Sequence, residues 1–265
     1  MSLASFHFDW SIAGLPLLAG LLVVSTHVLM GRKVLERGII FIDLTIAQVA
    51  ALGVIVAGAM GLADDAGSGW GAQVAAGIAA LIAAALLTWT ERSLRKLQEA
   101  LIGSLYVLAA SVALLVLSRN PHGAEHMEQL LAGQILWTSV AQLVPVALLY
   151  AAVLAVWFLW ARHRPAAFYF LFAVTVMASV QLVGVYLVFA SLILPALATW
   201  GLPERTGLPL GYAVGIGGYA LGLWLTVPFD LPAGPLIVAA LAALALLSAV
   251  ARRLLRGGAA GAESE

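Results

Sequence analysis

Residues 168–200 have the sequence FYFLFAVTVMASVQLVGVYLVFASLILPALATW, an apolar run that contains no charged side chain. As one continuous helix it would be about 50 Å long, whereas the hydrocarbon core of a bilayer is about 30 Å thick. The run is therefore too long for one span and too short for two full spans. We expect one span followed by a short or re-entrant helix, with a break near residues 181–184. The alternative is a single long, tilted helix that protrudes from the membrane.

The composition of the whole chain also indicates a membrane protein. Hydrophobic residues make up 63% of the 265 residues and charged residues 10%, and the mean hydropathy is +1.04. Soluble domains are usually about 45–50% apolar and about 25% charged. Lipid admits only helices or closed barrels, and the continuous Ala/Leu-rich runs of this chain favour helices over alternating strands. We expect an all-α, polytopic membrane bundle with about eight membrane segments.

The other apolar runs divide the chain into further spans. The first run lacks a basic region before it and a small-residue cleavage motif after it, which indicates a retained span rather than a signal peptide. The longest loop is too short for a soluble domain, so we expect no enzymatic chemistry. One membrane domain should cover residues 1–256, followed by a disordered tail over 257–265. The remaining predicted spans are 10–30, 38–60, 70–89, 100–118, 139–160, 208–227 and 231–250.

The basic residues predict the orientation because Lys and Arg collect in cytoplasmic loops. Eleven of the 13 follow the first, third, fifth and last of these seven runs, and placing those loops inside also brings Arg205 inside after residues 168–200, which leaves Arg119 as the sole exception. The N-terminus is then outside and the C-terminus cytoplasmic. Residues 168–200 must start and end inside, as a span with a returning short helix would do. No basic tract is present that would bind nucleic acid.

Several polar side chains lie within predicted spans. Asp43 is either a station on an ion path or the partner of a base such as Arg37, since an unpaired carboxylate in a span is costly. Gln48 points about 140° away from Asp43 on an unbroken helix, so the two cannot share one ligand face. Gln48 and Gln181, which lies at the expected break, are each either pathway residues or interhelical hydrogen-bonding residues. His27 is expected to be a polar residue packed among helices.

The outer loop contains a candidate metal-ligand group, His122, Glu125 and His126. Histidines four residues apart would share one face if the loop were helical, and imidazole with carboxylate suits Zn, Mn or Fe. Pro121 and Gly123 weaken a helix there, and a solvated loop without metal is the alternative. Because the chain has no cysteine, any metal must be held by His, Asp, Glu or neutral oxygens.

Three stretches resemble the permeases of bacterial zinc, manganese and iron ABC transporters, the ABC-3 family. Residues 42–53, IDLTIAQVAALG, follow a Gly-Arg pair and are similar to the family's Gly-Asp-x-x-Ala-His-Ala-x-Leu-x-Gly. Residues 183–199, VGVYLVFASLILPALAT, are similar to Val-Gly-x-x-Leu-x-x-x-Leu-x-Ile-Pro-Ala-x-x-Ala. Residues 230–238, DLPAGPLIV, are similar to Asp-x-Pro-x-Gly-x-x-Ile-Val. The resemblance covers most of the chain in the right order.

The resemblance implies a metal-cation permease that works by alternating access in the bacterial inner membrane. Its expected partners are a second permease copy, a cytoplasmic ATPase and an extracytoplasmic metal-binding protein, and metal would pass along the dimer interface. No cofactor would be bound permanently, because the metal is the substrate and ATP binds the partner subunit. Asp43, Gln48 and Gln181 would line the pathway, Asp230 the outer vestibule, and the outer loop would capture metal.

The sequence departs from the family pattern at two places. Gln48 stands where the motif has histidine, which leaves a neutral oxygen in place of a strong metal ligand. Residues 161–165 are too few for the coupling helix by which family members dock on the ATPase, and residues 91–99 are either a substitute dock or an ordinary basic loop. Two other functions therefore stay open: an ion- or proton-linked carrier uncoupled from ATP, and a membrane scaffold that does not transport.

Overall fold

The computed structural model describes most of the chain, namely residues 10–62, 70–93, 97–117, 135–161, 164–229 and 231–262. Within these ranges every regular element is a helix, so the expected all-α class is confirmed. The elements are α1 (Trp10–Arg37), α2 (Ile42–Ala59), α3 (Trp70–Ser93), α4 (Gln98–Leu117), α5 (Val140–Leu159), α6 (Pro165–Val183), α7 (Val185–Ala198), α8 (Glu204–Phe229) and α9 (Ala233–Ala262), with a 3-10 turn at Ile135–Trp137 before α5.

Eight of the described helices are long and apolar enough to cross a membrane, as judged by length and composition. The exception is α7, which has 14 residues and would be about 21 Å long. The chain is therefore the polytopic helical bundle that the sequence predicts. The last helix continues to Ala262, so the boundary between a membrane domain and a tail at residue 256 stays a prediction.

Local sequence signals set several helix ends. Gly38 follows α1 with a φ of 70°, a left-handed conformation that glycine adopts easily, and its N–H donates to the Leu35 carbonyl at 3.1 Å. At the start of α5, the Ser139 N–H donates to the Gln142 side-chain oxygen at 3.0 Å, as part of a capping box. Pro165 occupies the first turn of α6, where no N–H is needed.

Residues 168–200 form two helices separated by Gly184. This residue has φ 81° and ψ 164°, a combination that only glycine adopts without strain. Its N–H still donates to the Val180 carbonyl at 2.8 Å, and its own carbonyl accepts from the Val188 N–H at 3.1 Å. The hydrogen bonds of α6 thus end, and those of α7 begin, on the same residue, and the break expected near residues 181–184 is confirmed.

The two helices of this run begin and end at the same end of the bundle. The Arg37 guanidinium at the end of α1 lies over the Phe168 ring in the first turn of α6, 4.4 Å from its centroid. Arg32, also near the end of α1, donates to the carbonyls of Thr199 and Leu202, just beyond α7, at 3.4 and 2.9 Å. The run therefore goes across and returns, and the alternative of one long tilted helix is wrong.

Basic residues gather at this end of the bundle, which we call the basic end and define by Arg32, Arg37 and Arg252. Arg252 on α9 donates to the Trp200 carbonyl at 3.3 Å. Arg37 also pairs with Glu91 near the end of α3, with 3.6 Å between Nη1 and Oε1. The ends of α1, α3 and α7, the start of α6 and the turn of α9 that carries Arg252 therefore lie together, as the charge distribution predicts. The side of the membrane that the basic end faces stays a prediction.

Glycines on α8 allow two neighbouring helices to pack closely against it. A Cβ at Gly215 or Gly211 would lie 2.8 Å from a methyl group of Val24 or Val28 on α1. The adjoining row on α8 includes Gly222, where a Cβ would overlap the backbone of α9. Such four-residue spacing of small residues is typical of close helix pairs in membranes, where van der Waals packing replaces the hydrophobic effect.

The helices pack as two groups. In the first group, α2 packs on α3, α4 and α6. In the second group, α7, α8 and α9 pack on one another, and α1 packs on α7 and α8. Helix α5 packs on α1 and α6, and smaller interfaces, such as that of α2 with α7, join the groups. Because α6 belongs to the first group and α7 to the second, Gly184 lies where the chain passes from one group to the other.

Candidate functional site

Asp43 lies in the first turn of α2 and is only 1% exposed. The turn that starts at Gly38 directs it inward, and Thr45 ties α2 to α4 by donating to the Ile102 carbonyl at 3.0 Å. Neither carboxylate oxygen has a hydrogen-bond partner among the described residues. The helix N-terminus favours a carboxylate by about 0.3–1 kcal/mol, much less than the several kcal/mol that burying an ion costs. A bound cation would offset that cost.

Arg37, the base that could have paired with Asp43, has other partners. It pairs with Glu91 and stacks on Phe168, and the side chains of both charged residues are roughly one-quarter exposed. Among the described residues Asp43 has no ion pair. The interpretation of Asp43 as the structural partner of Arg37 is therefore wrong.

Gln48 is also buried, with 3% exposure, on the same unbroken helix. It lies about 7.5 Å further from the basic end than Asp43 and points about 140° away, so the two do not form one ligand face. Both are buried because α2 is surrounded by helices of its own group and by α7. The two side chains could act as successive stations but could not bind one ion together from a straight helix.

Gln181 lies apart from these two residues. It is exposed, and its amide nitrogen donates to the Met177 sulfur at 3.7 Å. Since α6 starts at the basic end, Gln181 is about 24 Å away along that helix, whereas Asp43 is in the first turn of α2. The structure therefore does not bring Gln181 together with Asp43 and Gln48.

The other predicted site residues lie outside the described part of the chain. These are Asp230 and the outer-loop group His122, Glu125 and His126, whose assignments stay predictions. Within the described ranges, no group of three or more His, Asp or Glu side chains could hold a metal ion.

His27 on α1 offers a second buried group with an unused atom. It is fully buried, and its Nδ1 lies 2.9 Å from the Val23 carbonyl. Because a carbonyl can only accept, we assign the proton to Nδ1, which leaves the Nε2 lone pair free. Nε2 has no hydrogen-bond partner among the described residues. The sequence predicts a packed polar residue here, and the structure adds a neutral imidazole nitrogen that could bind a metal.

Sequence reasoning missed two buried tyrosine–serine pairs. The Tyr150 hydroxyl on α5 is hydrogen-bonded to the Ser179 hydroxyl on α6. The Tyr219 hydroxyl on α8 is 2.8 Å from the Ser191 hydroxyl on α7. The serines lie on either side of Gly184, five residues before it and seven after it. Their positions beside a predicted break were the only signal in the sequence, since the identity of their partners depends on how the helices pack.

A cleft of about 300 Å³ opens at the basic end between α1 and the turn that follows α7. Trp200 on its rim is 58% exposed. The cleft offers a surface that a partner could contact near both α1 and α7. Its lining residues are Arg32, Glu36, Ala196, Thr199, Trp200, Gly201 and Leu202.

Comparison with known proteins identifies similar sequences and folds. The model of the ABC 3 transport family matches residues 14–164 and 162–252, in two pieces that meet at the connection between α5 and α6. The structure of PsaBC from Streptococcus pneumoniae in complex with Fab is similar, with a TM-score of 0.71 and 19% identity, covering 93% of this chain and 95% of that chain.

A second solved structure, described as an inward-facing conformation of a metal-chelate type ABC transporter, is similar with a TM-score of 0.63 and 17% identity. The match covers 92% of this chain and 83% of that chain. No curated protein sequence matches the chain. At these identities the two structures establish a shared fold.

Proposed function

The chain belongs to the ABC 3 transport family, and from this premise we propose that it moves a divalent metal cation, Zn, Mn or Fe, across the bacterial inner membrane. As a family member it is a multi-pass membrane permease of an ABC transporter and not an enzyme. We choose a cation as the substrate because the Asp43 carboxylate is buried and has no hydrogen-bond partner among the described residues. Carboxylate and imidazole groups are ligands that suit these metals.

Under this proposal Asp43, Gln48 and His27 are stations along the pathway. Asp43 supplies the charge that attracts a cation, Gln48 supplies a neutral oxygen, and His27 supplies the free Nε2 lone pair. Gln181 stays a pathway candidate only near the far end of α6, because it is exposed there. The break at Gly184 supports a transport function, since non-helical backbone at membrane depth occurs where it lines a cavity or is surrounded by protein.

Metal uptake by whole cells tests the proposal. The chain and the products of neighbouring genes would be expressed in a bacterium that lacks its own zinc, manganese and iron uptake systems. Cellular metal would be measured against external concentration and normalised to folded permease in the membrane. We expect saturable uptake of at least one of the three metals. No uptake of any of them above cells without the permease would contradict the proposal.

The expected partners are a cytoplasmic ATPase, an extracytoplasmic metal-binding protein and a second permease copy. An ATP-uncoupled carrier is the second candidate. It is favoured by the short connection between Leu159 at the end of α5 and Pro165 at the start of α6, which leaves little chain for docking on an ATPase. The family match is divided at this same connection. Cross-linking to a co-purified ATPase would support the first candidate. Uptake that stops when the proton gradient is dissipated but survives depletion of ATP would support the second.

We further propose that the outer loop captures metal and that Asp230 belongs to the outer vestibule, as the family resemblance implies. His122, Glu125 and His126 would raise the local metal concentration, and Asp230 would lie in the outer vestibule. The double variant His122→Ala with His126→Ala should lose uptake at limiting metal and recover it at high metal, because a capture site affects supply rather than passage. Unchanged uptake at limiting metal would assign this loop to solvent without a metal role.

A further inference from the structure

The two helices on either side of Gly184 are fixed to different neighbours by a matching pair of hydrogen bonds. We propose that Tyr150–Ser179 and Tyr219–Ser191 hold the two arms of the broken helix, α6 and α7, and that the arms turn about Gly184 as the permease opens and closes. Tyr150 and Tyr219 are then positioning residues for transport. The statement about opening and closing rests on the proposed transport function.

The bond on the α6 arm joins it to α5. Tyr150 is 1% exposed, and Ser179 is fully buried. The Ser179 hydroxyl donates to the Thr175 carbonyl one turn earlier at 2.8 Å. The Tyr150 hydroxyl reaches both the Ser179 hydroxyl and the same Thr175 carbonyl, the latter at 3.3 Å, so its proton is shared between two acceptors on α6.

The bond on the α7 arm repeats this arrangement with α8. The Ser191 hydroxyl donates to the Leu187 carbonyl one turn earlier at 2.6 Å, so Tyr219 donates to Ser191 at 2.8 Å. Tyr219 and Ser191 are both fully buried. Because both pairs are buried in the protein, a broken hydrogen bond would leave polar groups without a partner, which is costly.

The backbone between the two bonds provides one pivot. Gly184 is the single residue between α6 and α7, and its φ of 81° belongs to a region that only glycine adopts freely. Helix α6 packs on α2 and α3, whereas α7 packs on α1, α8 and α9. Each arm therefore has its own support, and a rotation at Gly184 changes their relative positions while each helix stays intact.

The absence of cysteine from the chain allows this pivot to be measured with spin labels. Labels on Phe170→Cys and Leu197→Cys would report the separation of the arms near the basic end, where both side chains are exposed, at 39% and 48%. Pulsed electron paramagnetic resonance would give the distribution of distances in the full chain, purified into lipid nanodiscs without metal. The doubly labelled chain with all tyrosines intact is the reference.

We expect Tyr150→Phe and Tyr219→Phe each to broaden the distribution and to change the ratio of its populations by roughly two- to tenfold, the equivalent of one hydrogen bond. Tyr212→Phe is the matched control. Tyr212 also lies on α8, but its hydroxyl donates to the Ser25 carbonyl on α1 at 3.0 Å rather than to the broken helix. This control should leave the distribution unchanged.

Ser191→Ala removes the acceptor of the same bond and should reproduce the change caused by Tyr219→Phe, with no further change in the double variant. Distributions in Tyr150→Phe and Tyr219→Phe that match the Tyr212→Phe control would overturn the inference. The distances are measured without metal, so they would still test the inference if the metal-uptake experiment failed. Conversely, intact metal uptake with unchanged distances would refute only the role of the two bonds.

Discussion

At the scale of single residues, two charges near the basic end have opposite surroundings. Arg37 has a carboxylate 3.6 Å away and an aromatic ring beneath its guanidinium. Asp43 is more deeply buried and has no hydrogen-bond partner among the described residues. Breaking a partly exposed ion pair such as that of Arg37 with Glu91 costs up to about 1 kcal/mol, whereas removing a buried charge that has no partner relieves a desolvation cost. The two environments therefore predict different effects of neutralising each carboxylate.

Asp43→Asn should abolish metal uptake and leave the amount of folded protein unchanged or raised. The amide keeps the shape of the side chain and removes the charge that attracts the cation. Uptake against metal concentration and the thermal unfolding midpoint in detergent would be measured together. Glu91→Gln is the control, with uptake retained and stability lowered by up to about 1 kcal/mol, since its pair with Arg37 is partly exposed. Normal uptake by Asp43→Asn at every concentration would remove Asp43 from the pathway.

At the scale of helices, close approach is as important as apolar composition. Helix α1 meets α7 at Gly31, where a Cβ would overlap the carbonyl oxygen of Leu192. It meets α8 along the row that contains Gly211 and Gly215. By contrast, a Cβ at Gly103 in α4 would meet no atom within 4 Å. Some glycines in this bundle thus permit close contact between two helices, whereas others lie beside open space.

Gly31→Ala should lower stability by about 1–3 kcal/mol, because the rigid backbone of α7 cannot move away cheaply. The matched variant Gly103→Ala should be neutral or stabilising by up to about 1 kcal/mol, since alanine is the better helix former and the space is open. Thermal unfolding of both variants, followed by fluorescence of the eight tryptophans, would compare them. Equal midpoints would show that α1 and α7 do not meet as closely as described.

At the scale of the whole molecule, the arrangement of the helix ends agrees with the charge distribution. Arg32, Arg37 and Arg252 lie at one end, together with the start of α6 and the end of α7. This agreement is independent of any membrane, because it follows from contacts within the protein. The cytoplasmic side of a bacterial membrane is where such basic loops collect.

Reporter fusions would test the orientation directly. A fusion after Gly69, between α2 and α3, should report an extracytoplasmic location, and a fusion after Arg256 should report a cytoplasmic one. The reason is that the first site follows α2, which leads away from the basic end, whereas the second lies in the last turns of α9, which leads toward and past it. Fusions that give the same signal would refute the predicted topology, whereas reversed signals would place the basic end outside.

The candidate site was predictable only in part. Asp43 stood out in the sequence because a carboxylate within an apolar run is costly wherever it lies. The sequence could not show that Asp43 has no partner among the described residues, because Arg37 is near enough along the chain to have paired with it. The tyrosine–serine pairs were likewise hidden, since Tyr150 and Ser179 are far apart in sequence and meet only when α5 packs on α6.

The helices of the described residues, the break near residues 181–184 and the relative direction of the spans were predictable from the sequence. Apolar length is limited by bilayer thickness, loop charge favours one side, and a run too long for one span must be divided. Which side chains meet was decided by the tertiary structure. Helices that are apolar on nearly every face have no polar stripe to show which face turns inward. Close packing of glycine and alanine surfaces sets the rotation of each helix about its axis. This rotation decides which residues contact Arg37, leaves Asp43 without a partner among the described residues and exposes Gln181.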